Sequence, residues 1–385
     1  MLLLEGVMRI LWLPHHHWGF IREGQREQRL AEAIKNVHEV HFLTWQVARP
    51  SPASVIGALR SARWRDNNFW IHQMRRVPNL AGQRLHEASG RGLRINEYLF
   101  GRTVRQIVAS ERIELVLCGI GHQSVGLPPA NLPVPLIFDY LDYKLERWPD
   151  IEKAYFERAD AVMCTSRVLL ERAEAHHPHS YYLPNGVDLA AADRADGERV
   201  RRQYGLEDAK VVSLIGVTAS ARPFYVDAIA EAMSALPQLV FLVVGDPGEL
   251  GPTLRRRAQE RGVRIVETGP VPPSEVADFY AATDVGLYPG DQNAYFDAAS
   301  PLKVLEYTAA AKPVAATDLK ELRNWGFPNV RLAQPTADAF AREILLALRE
   351  PHDFPDLSEF GWPLLAERLL TILDEVAKRA RPAHS

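Results

Sequence analysis

The sequence is poor in cysteine: Cys118 and Cys164 are the two thiols among its 385 residues. Each lies in an apolar run and no Cys-x-x-Cys pair occurs, which excludes a disulfide-stapled fold and a cysteine-ligated metal site. We predict that both are small buried hydrophobes in a reducing compartment. Apolar runs of the ~18 residues that span a bilayer are also missing. Residues 1–7 are apolar but lack the basic segment and cleavage site of a signal peptide, so we expect a cytoplasmic protein with membrane contact at its surface only.

Lysine is also scarce, with 8 lysines among 45 basic residues and a formal net charge of −3. So balanced a charge argues against a nucleic-acid partner. The positive excess concentrates in residues 60–112, where 11 arginines stand beside 4 acidic residues and Trp64, Phe69 and Trp70 are interspersed. Basic residues mixed with aromatic ones favour contact with an anionic membrane surface. The alternative is an arginine-rich, solvated helical face in a proteome that prefers arginine.

Short apolar runs alternate with helical patterns almost throughout the chain. The strand candidates are residues 8–13, 39–43, 113–118, 135–139, 161–165 and 180–183, then 211–215, 238–244, 263–268, 285–288, 314–316 and 330–332. The alternation predicts an α/β protein of two Rossmann-like, doubly wound domains that face each other across a cleft. We place the first domain at 1–186, the second at 187–358, and a C-terminal helix in 359–385 that returns to the first domain.

The densest chemical signal is the segment 300–307, which reads Ser-Pro-Leu-Lys-Val-Leu-Glu-Tyr. Pro301 suits the first turn of a helix, whose free N–H groups at Leu302 and Lys303 would point out of its start. A lysine charge at that point predicts a diphosphate site. Glu306 lies three residues on, on the same helix face, where a carboxylate can accept the hydroxyls of a ribose. The alternative is an amphipathic helix with a salt-bridging glutamate.

Further candidates follow other predicted strands of the second domain, because ligands of open parallel sheets bind beyond the carboxyl ends of the strands. We predict that a nucleotide diphosphate sugar also contacts Gly216, Thr218, Arg222, Gly245, Asp246, Val271 and Ser300. Arg222 would neutralise the diphosphate, and the glycines would allow backbone to approach the ligand closely. The alternative is that the segments carrying these residues are ordinary surface loops or strand-to-loop turns.

The segment 301–315 resembles the nucleotide-sugar signature of GT-B glycosyltransferases, Pro-x-Lys-x-x-Glu-(Tyr/Ala)-x-Ala-x-Gly-Lys-Pro-Val, with Ala311 in place of the glycine. Three further stretches are similar to that fold: residues 159–166, 183–188 and 279–284. The resemblance implies transfer of a sugar from a nucleotide diphosphate donor, with UDP expected, to a glycan or polyprenyl-linked acceptor in cell-surface polysaccharide synthesis. It also implies that Lys303 contacts the donor phosphate and Glu306 the ribose.

Many retaining members of this fold carry a second glutamate at the position that Ala298 occupies here. The xanthan-type β-glucuronosyltransferases, which this chain resembles around residues 299–303, also lack it, and the teichuronic-acid-type transferases look similar. These resemblances favour an inverting mechanism, which needs one carboxylate to deprotonate the acceptor hydroxyl. We assign that role to Asp142, which matches an aspartate of the glucuronosyltransferases, and in second place to Asp139. Helix capping is the alternative role for these aspartates.

On the acceptor side, the loop after the first strand is predicted to meet the acceptor through His16, Trp18 and Arg22, with Trp18 stacked on a sugar ring. His122 follows another strand, in Gly-Ile-Gly-His, and is predicted to hold a sugar hydroxyl or the donor phosphate. Its glycine spacing departs from that of a dinucleotide site, and the consecutive histidines lack partners at ligand spacing. We therefore expect no cofactor and no metal, with positive groups stabilising the departing diphosphate. The rival functions are an epimerase of the same fold and a non-catalytic nucleotide-sugar-binding subunit.

Overall fold

The computed structural model describes residues 6–21, 25–45, 59–75, 94–119, 128–143, 149–216, 224–246, 248 and 251–380. The chain forms two compact units. Unit 1 comprises Met1–Pro184 together with Trp362–Ser385, and unit 2 comprises Asn185–Gly361.

Unit 1 is built on an eight-stranded sheet. Its strands are β1 (Arg9–Leu13), β2 (Glu39–Thr44), β3 (Ala62–Asp66), β4 (Phe69–Gln73), β5 (Leu115–Gly119), β6 (Leu136–Tyr140), β7 (Ala161–Cys164) and β8 (Ser180–Tyr182). The helices of this part of the chain are α1 (Trp18–Ile21), α2 (Arg26–Ile34), α3 (Arg94–Ser110), α4 (Pro149–Arg158) and α5 (Arg167–Glu174). The strand order is β3-β4-β2-β1-β5-β6-β7-β8, parallel except between β3 and β4. The order reverses between β1 and β5, so the ligand crevice of such a sheet lies at their carboxyl ends.

The central strands of unit 1 are apolar on both faces, which is why they read as continuous apolar runs in the sequence. In β1, Ile10 and Trp12 join the core cluster on one face, and Leu11 is fully buried on the other. Both cysteines are buried free thiols, as predicted. Burial raises the pKa of the Cys118 thiol to about 12, which makes it unreactive near neutral pH.

The hairpin formed by β3 and β4 is missing from the predicted strands. Its turn consists of Asn67 and Asn68, with φ angles of 52° and 71°, the left-handed pair that a type I′ turn requires and that asparagine tolerates well. Phe69 and Ile71 are buried while Arg63 and Arg65 are exposed, so one face of the hairpin packs on the core and the other is polar. The asparagine pair is the sequence signal for this hairpin.

Unit 2 is built on a six-stranded, wholly parallel sheet. Its strands are β9 (Lys210–Ile215), β10 (Leu239–Val244), β11 (Ile265–Gly269), β12 (Val285–Tyr288), β13 (Val314–Thr317) and β14 (Val330–Ala333). Its helices are α6 (Leu189–Asp193), α7 (Gly197–Tyr204), α8 (Phe224–Met233), α9 (Gly251–Arg261), α10 (Val276–Ala282), α11 (Ala294–Asp297), α12 (Leu302–Ala309), α13 (Lys320–Trp325) and α14 (Ala337–Arg349). The order β11-β10-β9-β12-β13-β14 is that of dinucleotide-binding folds, and its switch point lies between β9 and β12.

Helices cover both faces of the second sheet. Val212 and Leu214 of β9 belong to the cluster completed by α8 and α14, whereas Val211 and Ile215 belong to the cluster completed by α10 and α12. Successive residues of the strand thus enter opposite cores. This arrangement fixes α12 against the carboxyl half of the sheet.

The last helix, α15 (Trp362–Ala380), belongs to unit 1 and packs on α2. Its buried residues Leu365, Leu369 and Leu373 recur every four positions, which aligns them along one face. Val187 N donates to Phe360 O at 2.8 Å, so the chain enters and leaves unit 2 side by side. Unit 2 extends to Gly361, and α15 begins at the next residue. No helix in the described part of the chain is long and apolar enough to cross a membrane.

Candidate active site

The first turn of α12 carries the lysine of the predicted diphosphate site. Pro301 directly precedes the helix, and the N–H groups of its first turn have no intrahelical acceptors. The Lys303 side chain lies across Gly216, the residue that follows β9. A Cβ at Gly216 would come within 2.8 Å of Lys303 Cε and 3.1 Å of Nζ. The structure thus brings two predicted donor contacts together at the end of the central strand.

The backbone around Gly216 is closely packed. Gly216 and Gly245 have φ angles of 104° and 110°, which other residues adopt only with strain. Gly216 N donates to Val244 O at 2.8 Å, and Gly245 N donates to Gly269 O at 3.0 Å. A Cβ at Gly245 would lie 2.7 Å from Gly216 O. The two glycines therefore let the carboxyl ends of β9, β10 and β11 pack closely against one another and against Lys303.

The electrostatics of this point favour an anion. Burial lowers the pKa of Lys303, and the nearby Glu306 carboxylate opposes that shift. A charge that is partly withdrawn from water acts on its neighbours with less dielectric screening. The Lys303 charge lies beside the positive end of α12, and phosphate groups bind at such helix ends in many folds.

Glu306 is held in place by a tyrosine from a second helix. Its Oε2 accepts a hydrogen bond from the hydroxyl of Tyr280 in α10. Burial and the Glu306 charge raise the pKa of Tyr280 well above its usual value, so the phenol remains a donor. The Tyr280 ring packs edge-on to Tyr307, with centroids 4.7 Å apart. Tyr280 is a functional candidate that the sequence did not reveal, because its partner lies 26 residues away.

Tyr307 is itself locked beneath the site. Its hydroxyl donates to Ser213 O at 2.9 Å. Gly286 in β12 makes room for the ring, since a Cβ there would come within 2.5 Å of it. The strand glycine, the two tyrosines and the glutamate therefore form one rigid support at the switch point of the sheet.

Ser300 is held by hydrogen bonds to Asn185. Asn185 Nδ2 donates to Ser300 O at 2.9 Å, and Asn185 N approaches Ser300 Oγ at 3.4 Å. Ser300 is buried, so its main contribution is to hold the start of α12. This contact explains what Asn185 does within the 183–188 stretch.

The remaining donor candidates occupy the rim of the same edge. Asp246 follows β10, and its Oδ1 accepts the N–H of Gly248 at 2.8 Å. Val271 is half-buried against the apolar cluster under α12. Leu302 is 38% exposed at the start of the helix. Thr218 and Arg222 lie outside the described residues.

Asp142 and Asp139, the two base candidates of unit 1, have different surroundings. Asp142 lies two residues beyond β6 and is half-buried. Asp139 is inside β6 with no exposed surface, and burial raises the pKa of its carboxyl. Its Oδ1 lies 3.5 Å from the Arg26 guanidinium. Because an acceptor hydroxyl cannot reach a fully buried oxygen, Asp139 fits a structural role better than that of the second base.

A charged cluster lies around Arg26 at the same edge of the sheet. The guanidinium donates to the carbonyl groups of residues 183 and 184. Beside it, buried Glu27 accepts the N–H of His15 at 3.3 Å. Burial raises the pKa of Glu27 to about 7, with the Asp139 charge adding to the shift and Arg26 opposing it. The cluster ties the loop after β1 to the last residues before unit 2.

Trp18 is not an acceptor platform, contrary to the prediction. It begins α1 and is 4% exposed. Its ring packs on Phe42, with centroids 4.8 Å apart, and its indole N–H donates to Asp66 Oδ2 at 2.7 Å. The helical start turns the side chain into the core, where burial of a large ring with its N–H satisfied is favourable. No surface remains for a sugar to stack on.

His16 is the acceptor candidate that the structure leaves accessible. It is half-buried after β1, edge-on to His15 at 4.4 Å between centroids. Arg22 and His122 lie outside the described residues. Within the described ranges, no three His, Cys, Asp or Glu side chains are grouped so as to hold a metal ion.

The aromatic residues predicted to contact a membrane, Trp64, Phe69 and Trp70, pack against other side chains of unit 1. Phe69 has no exposed surface and Trp64 packs against the core of unit 1. Trp70 lies beneath two guanidinium groups, with Arg63 Cζ 3.8 Å and Arg65 Cζ 4.8 Å from its ring centroid. The alternation of β3 and β4 puts these rings in the core or under cations.

Part of unit 2 is similar in sequence to known glycosyltransferases. Residues 210–350 match the family model described as glycosyl transferases group 1. The putative teichuronic acid biosynthesis glycosyltransferase TuaH of Bacillus subtilis (strain 168) is 31% identical over 174 residues, which cover 44% of this chain and 43% of that protein. The chain thus matches less than half the length of this curated relative.

Solved structures similar over nearly the whole chain show its fold. The sucrose-phosphate synthase of Thermosynechococcus elongatus aligns with a TM-score of 0.65 and 18% identity over 97% of both chains. Anabaena HepE in complex with UDP and glucose aligns with a TM-score of 0.62 and 15% identity over 97% of this chain and 99% of that one. The α,α-trehalose 6-phosphate synthase of Burkholderia multivorans aligns with a TM-score of 0.68 and 11% identity over 98% and 100%. The chain therefore has the GT-B fold, and its residues 210–350 are similar to the group 1 glycosyltransferases.

Proposed function

We propose that the protein transfers a sugar from a nucleotide diphosphate sugar to a hydroxyl of a glycan or lipid-linked acceptor, in the synthesis of a cell-surface polysaccharide. The observation that carries the proposal is the contact of Lys303 with Gly216 at the start of α12, within the segment that matches the group 1 glycosyltransferases. The donor-binding candidates belong to unit 2, and the acceptor candidates belong to unit 1.

In this proposal the charge of the leaving diphosphate is taken up by fixed groups of unit 2. Lys303 and the first N–H groups of α12 bind the phosphates, and they stabilise the additional negative charge as the glycosidic bond to the diphosphate breaks. These groups support a transfer that requires no metal ion. Glu306, oriented by Tyr280, accepts the ribose hydroxyls.

The nucleotide proposed is UDP. Anabaena HepE, whose fold this chain shares, was solved with UDP and glucose.

The base proposed is Asp142, in an inverting transfer. The acceptor oxygen attacks the anomeric carbon while its proton passes to Asp142, and the bond from that carbon to the diphosphate oxygen breaks. Ala298 is buried and carries a methyl group at the position where retaining relatives have a carboxylate. Asp142 remains the base candidate because Asp139 is sealed inside β6.

The test separates binding from chemistry. Calorimetric titration with UDP is combined with assays of transfer and of slow donor hydrolysis, using UDP-glucose, UDP-galactose and UDP-glucuronate. We expect Asp142→Asn to bind UDP as wild type does and to lose turnover. Turnover at the wild-type rate in this variant would remove Asp142 as the base. UDP binding without turnover of any donor would favour a non-catalytic subunit, and epimerisation without acceptor would favour the epimerase.

We also propose that unit 1 rests on an anionic membrane surface through its arginines alone. Arg60, Arg65, Arg75 and Arg102 are exposed, and each basic residue near such a surface contributes about 1 kcal/mol. Co-sedimentation with vesicles that contain phosphatidylglycerol should be strong at low salt and weak at high salt. Equal recovery with neutral vesicles would contradict this proposal.

A further inference from the structure

A cleft with a volume of about 320 Å³ opens in unit 1 between the β3–β4 hairpin and α3. Its lining includes hydroxyl and amide side chains from β4, from α3 and from the residue before β3: Gln73, Gln106, Ser110 and Ser61. His72 lines it as a buried side chain. The volume falls within the range of small-molecule sites, and the face of a sheet beneath a helix is usually apolar rather than polar.

A chain of hydrogen bonds fixes the proton positions of His72. His41 Nε2 lies 3.0 Å from Glu39 Oε1, and His41 Nδ1 lies 2.9 Å from His72 Nε2. Burial lowers the pKa of both histidines, that of His72 to about 4, with the neighbouring His41 and Arg63 adding to the shift of His72. Both rings are therefore neutral near pH 7 and carry one proton each.

The ionised Glu39 only accepts, so the proton of His41 is on Nε2 and its Nδ1 accepts. The proton of His72 is then on Nε2, which leaves His72 Nδ1 as an acceptor. No side chain or backbone group of the described residues donates to this nitrogen. His72, which lines the cleft, thus has a ring nitrogen that can accept a hydrogen bond from an O–H or N–H group.

Arg63 supplies donors in a fixed position. Its guanidinium lies 3.8 Å from the Trp70 ring centroid and 2.9 Å from Glu111 Oε2. The carboxylate balances the charge, so the cleft does not select a charged ligand. Ala62 and Ile107 add an apolar part of the lining.

We propose that this cleft binds a neutral pyranose unit of a carbohydrate. A hydroxyl of the ring donates to His72 Nδ1, Arg63 and Gln106 donate to ring oxygens, and the C–H face of the sugar packs on Ile107. A pyranose combines donors, acceptors and an apolar face in one small body, which is the complement of this lining. This site is separate from the proposed donor site of unit 2. The proposal concerns sugar binding and does not depend on sugar transfer.

The test is saturation-transfer NMR on the full chain with glucose, galactose, N-acetylglucosamine and glucuronate. Each is used at about 50 mM, well above the ~1 mM Kd of a weak site, with and without saturating UDP. We expect a signal from at least one neutral sugar that persists with UDP present. Gln106→Leu should weaken this binding by about 3- to 10-fold, the effect of one lost hydrogen bond.

Controls keep the result interpretable. Gln106 and Ser110 are exposed, so Gln106→Leu and a second variant, Ser110→Val, should fold normally. Gln259→Leu changes an exposed glutamine of α9 and should leave binding unchanged.

A tetrasaccharide that binds more tightly than its monosaccharide identifies a glycan chain as the source, and equal affinity identifies a free sugar. Lack of signal from every neutral sugar, loss of signal with UDP, or unchanged affinity in both variants would overturn the proposal. Absence of UDP binding or transfer would leave it untouched.

Discussion

The side chain of Lys303 occupies the space that a methyl group on Gly216 would need, 2.8 Å from its Cε. Gly216→Ala should therefore displace the lysine and weaken UDP binding. The φ angle of 104° should also destabilise the folded state by about 1–3 kcal/mol. Calorimetric titration with UDP and urea unfolding measure the two effects separately.

Gly262→Ala is the matched control for backbone strain. Gly262 has a φ angle of 66° and nothing within 4 Å of the added methyl group. This variant should lose stability and keep its affinity for UDP. An equal loss of UDP affinity in both glycine variants would show that contact with Lys303 is not what Gly216 protects.

Lys303→Met tests the phosphate contact. Loss of a charged hydrogen bond should raise the Kd for UDP by about 10- to 100-fold. The free energy of unfolding should not fall, because burial lowers the pKa of Lys303 and thus makes its charge costly to retain. Lys320→Met alters an exposed lysine of α13 and serves as the control. UDP affinity that is the same in the two variants would contradict the phosphate contact.

Tyr280→Phe tests whether Glu306 binds the ribose. Without the phenol the carboxylate loses a donor, and we expect UDP affinity to fall by about 3- to 10-fold. The same substitution should have no effect on 2′,3′-dideoxy-UDP, which lacks the hydroxyls in question. Tyr204→Phe is the control, since that ring packs on Phe279, with centroids 5.9 Å apart. A similar loss for both nucleotides would point to a general disturbance of α12.

The Glu27 carboxyl predicts a pH dependence of stability. Its pKa is about 7 in the folded protein against a usual value of 4.5, so the folded state holds a proton that the unfolded state releases. Stability should be fully retained below about pH 4.5 and fall as the pH rises to about 7, by about 3 kcal/mol for this group. Asp139, also raised, acts in the same direction.

Glu27→Gln should remove this dependence. Urea unfolding at pH 5 and pH 8 should show a smaller loss in the variant than in wild type. Parallel curves for the two proteins would show that Glu27 does not titrate in this interval.

The donor-site candidates could be predicted from the sequence because helix starts and charges are local features. Pro301, Lys303 and Glu306 stand within six positions, and the physics of a helix N-terminus assigns them roles without knowledge of the fold. Tyr280 and Asn185 act on that helix from distant parts of the chain, and no local pattern reveals such partners. Apart from β3 and β4, the strands of both sheets were predicted for the same local reason, since fully buried parallel strands are continuous apolar runs.

Trp18 shows where local reasoning fails. A tryptophan after a strand fits a binding loop, but a short helix begins there and points the ring at Phe42. The β3–β4 hairpin was missed because its arginines suggested a solvated surface. Arg63 and Arg65 do face solvent, yet alternate residues of the same strands complete the core.

The pairing of Val187 with Gly361 has a consequence for how the chain is made. Synthesis runs from the N-terminus, so every residue of unit 2 leaves the ribosome before α15 does. The core of unit 1 includes Leu369 and Leu373 of that helix. A nascent chain can thus complete unit 2 while unit 1 still exposes the apolar groove on α2 that α15 will fill. Unit 1 is therefore the first unit to begin synthesis and the last to complete its core.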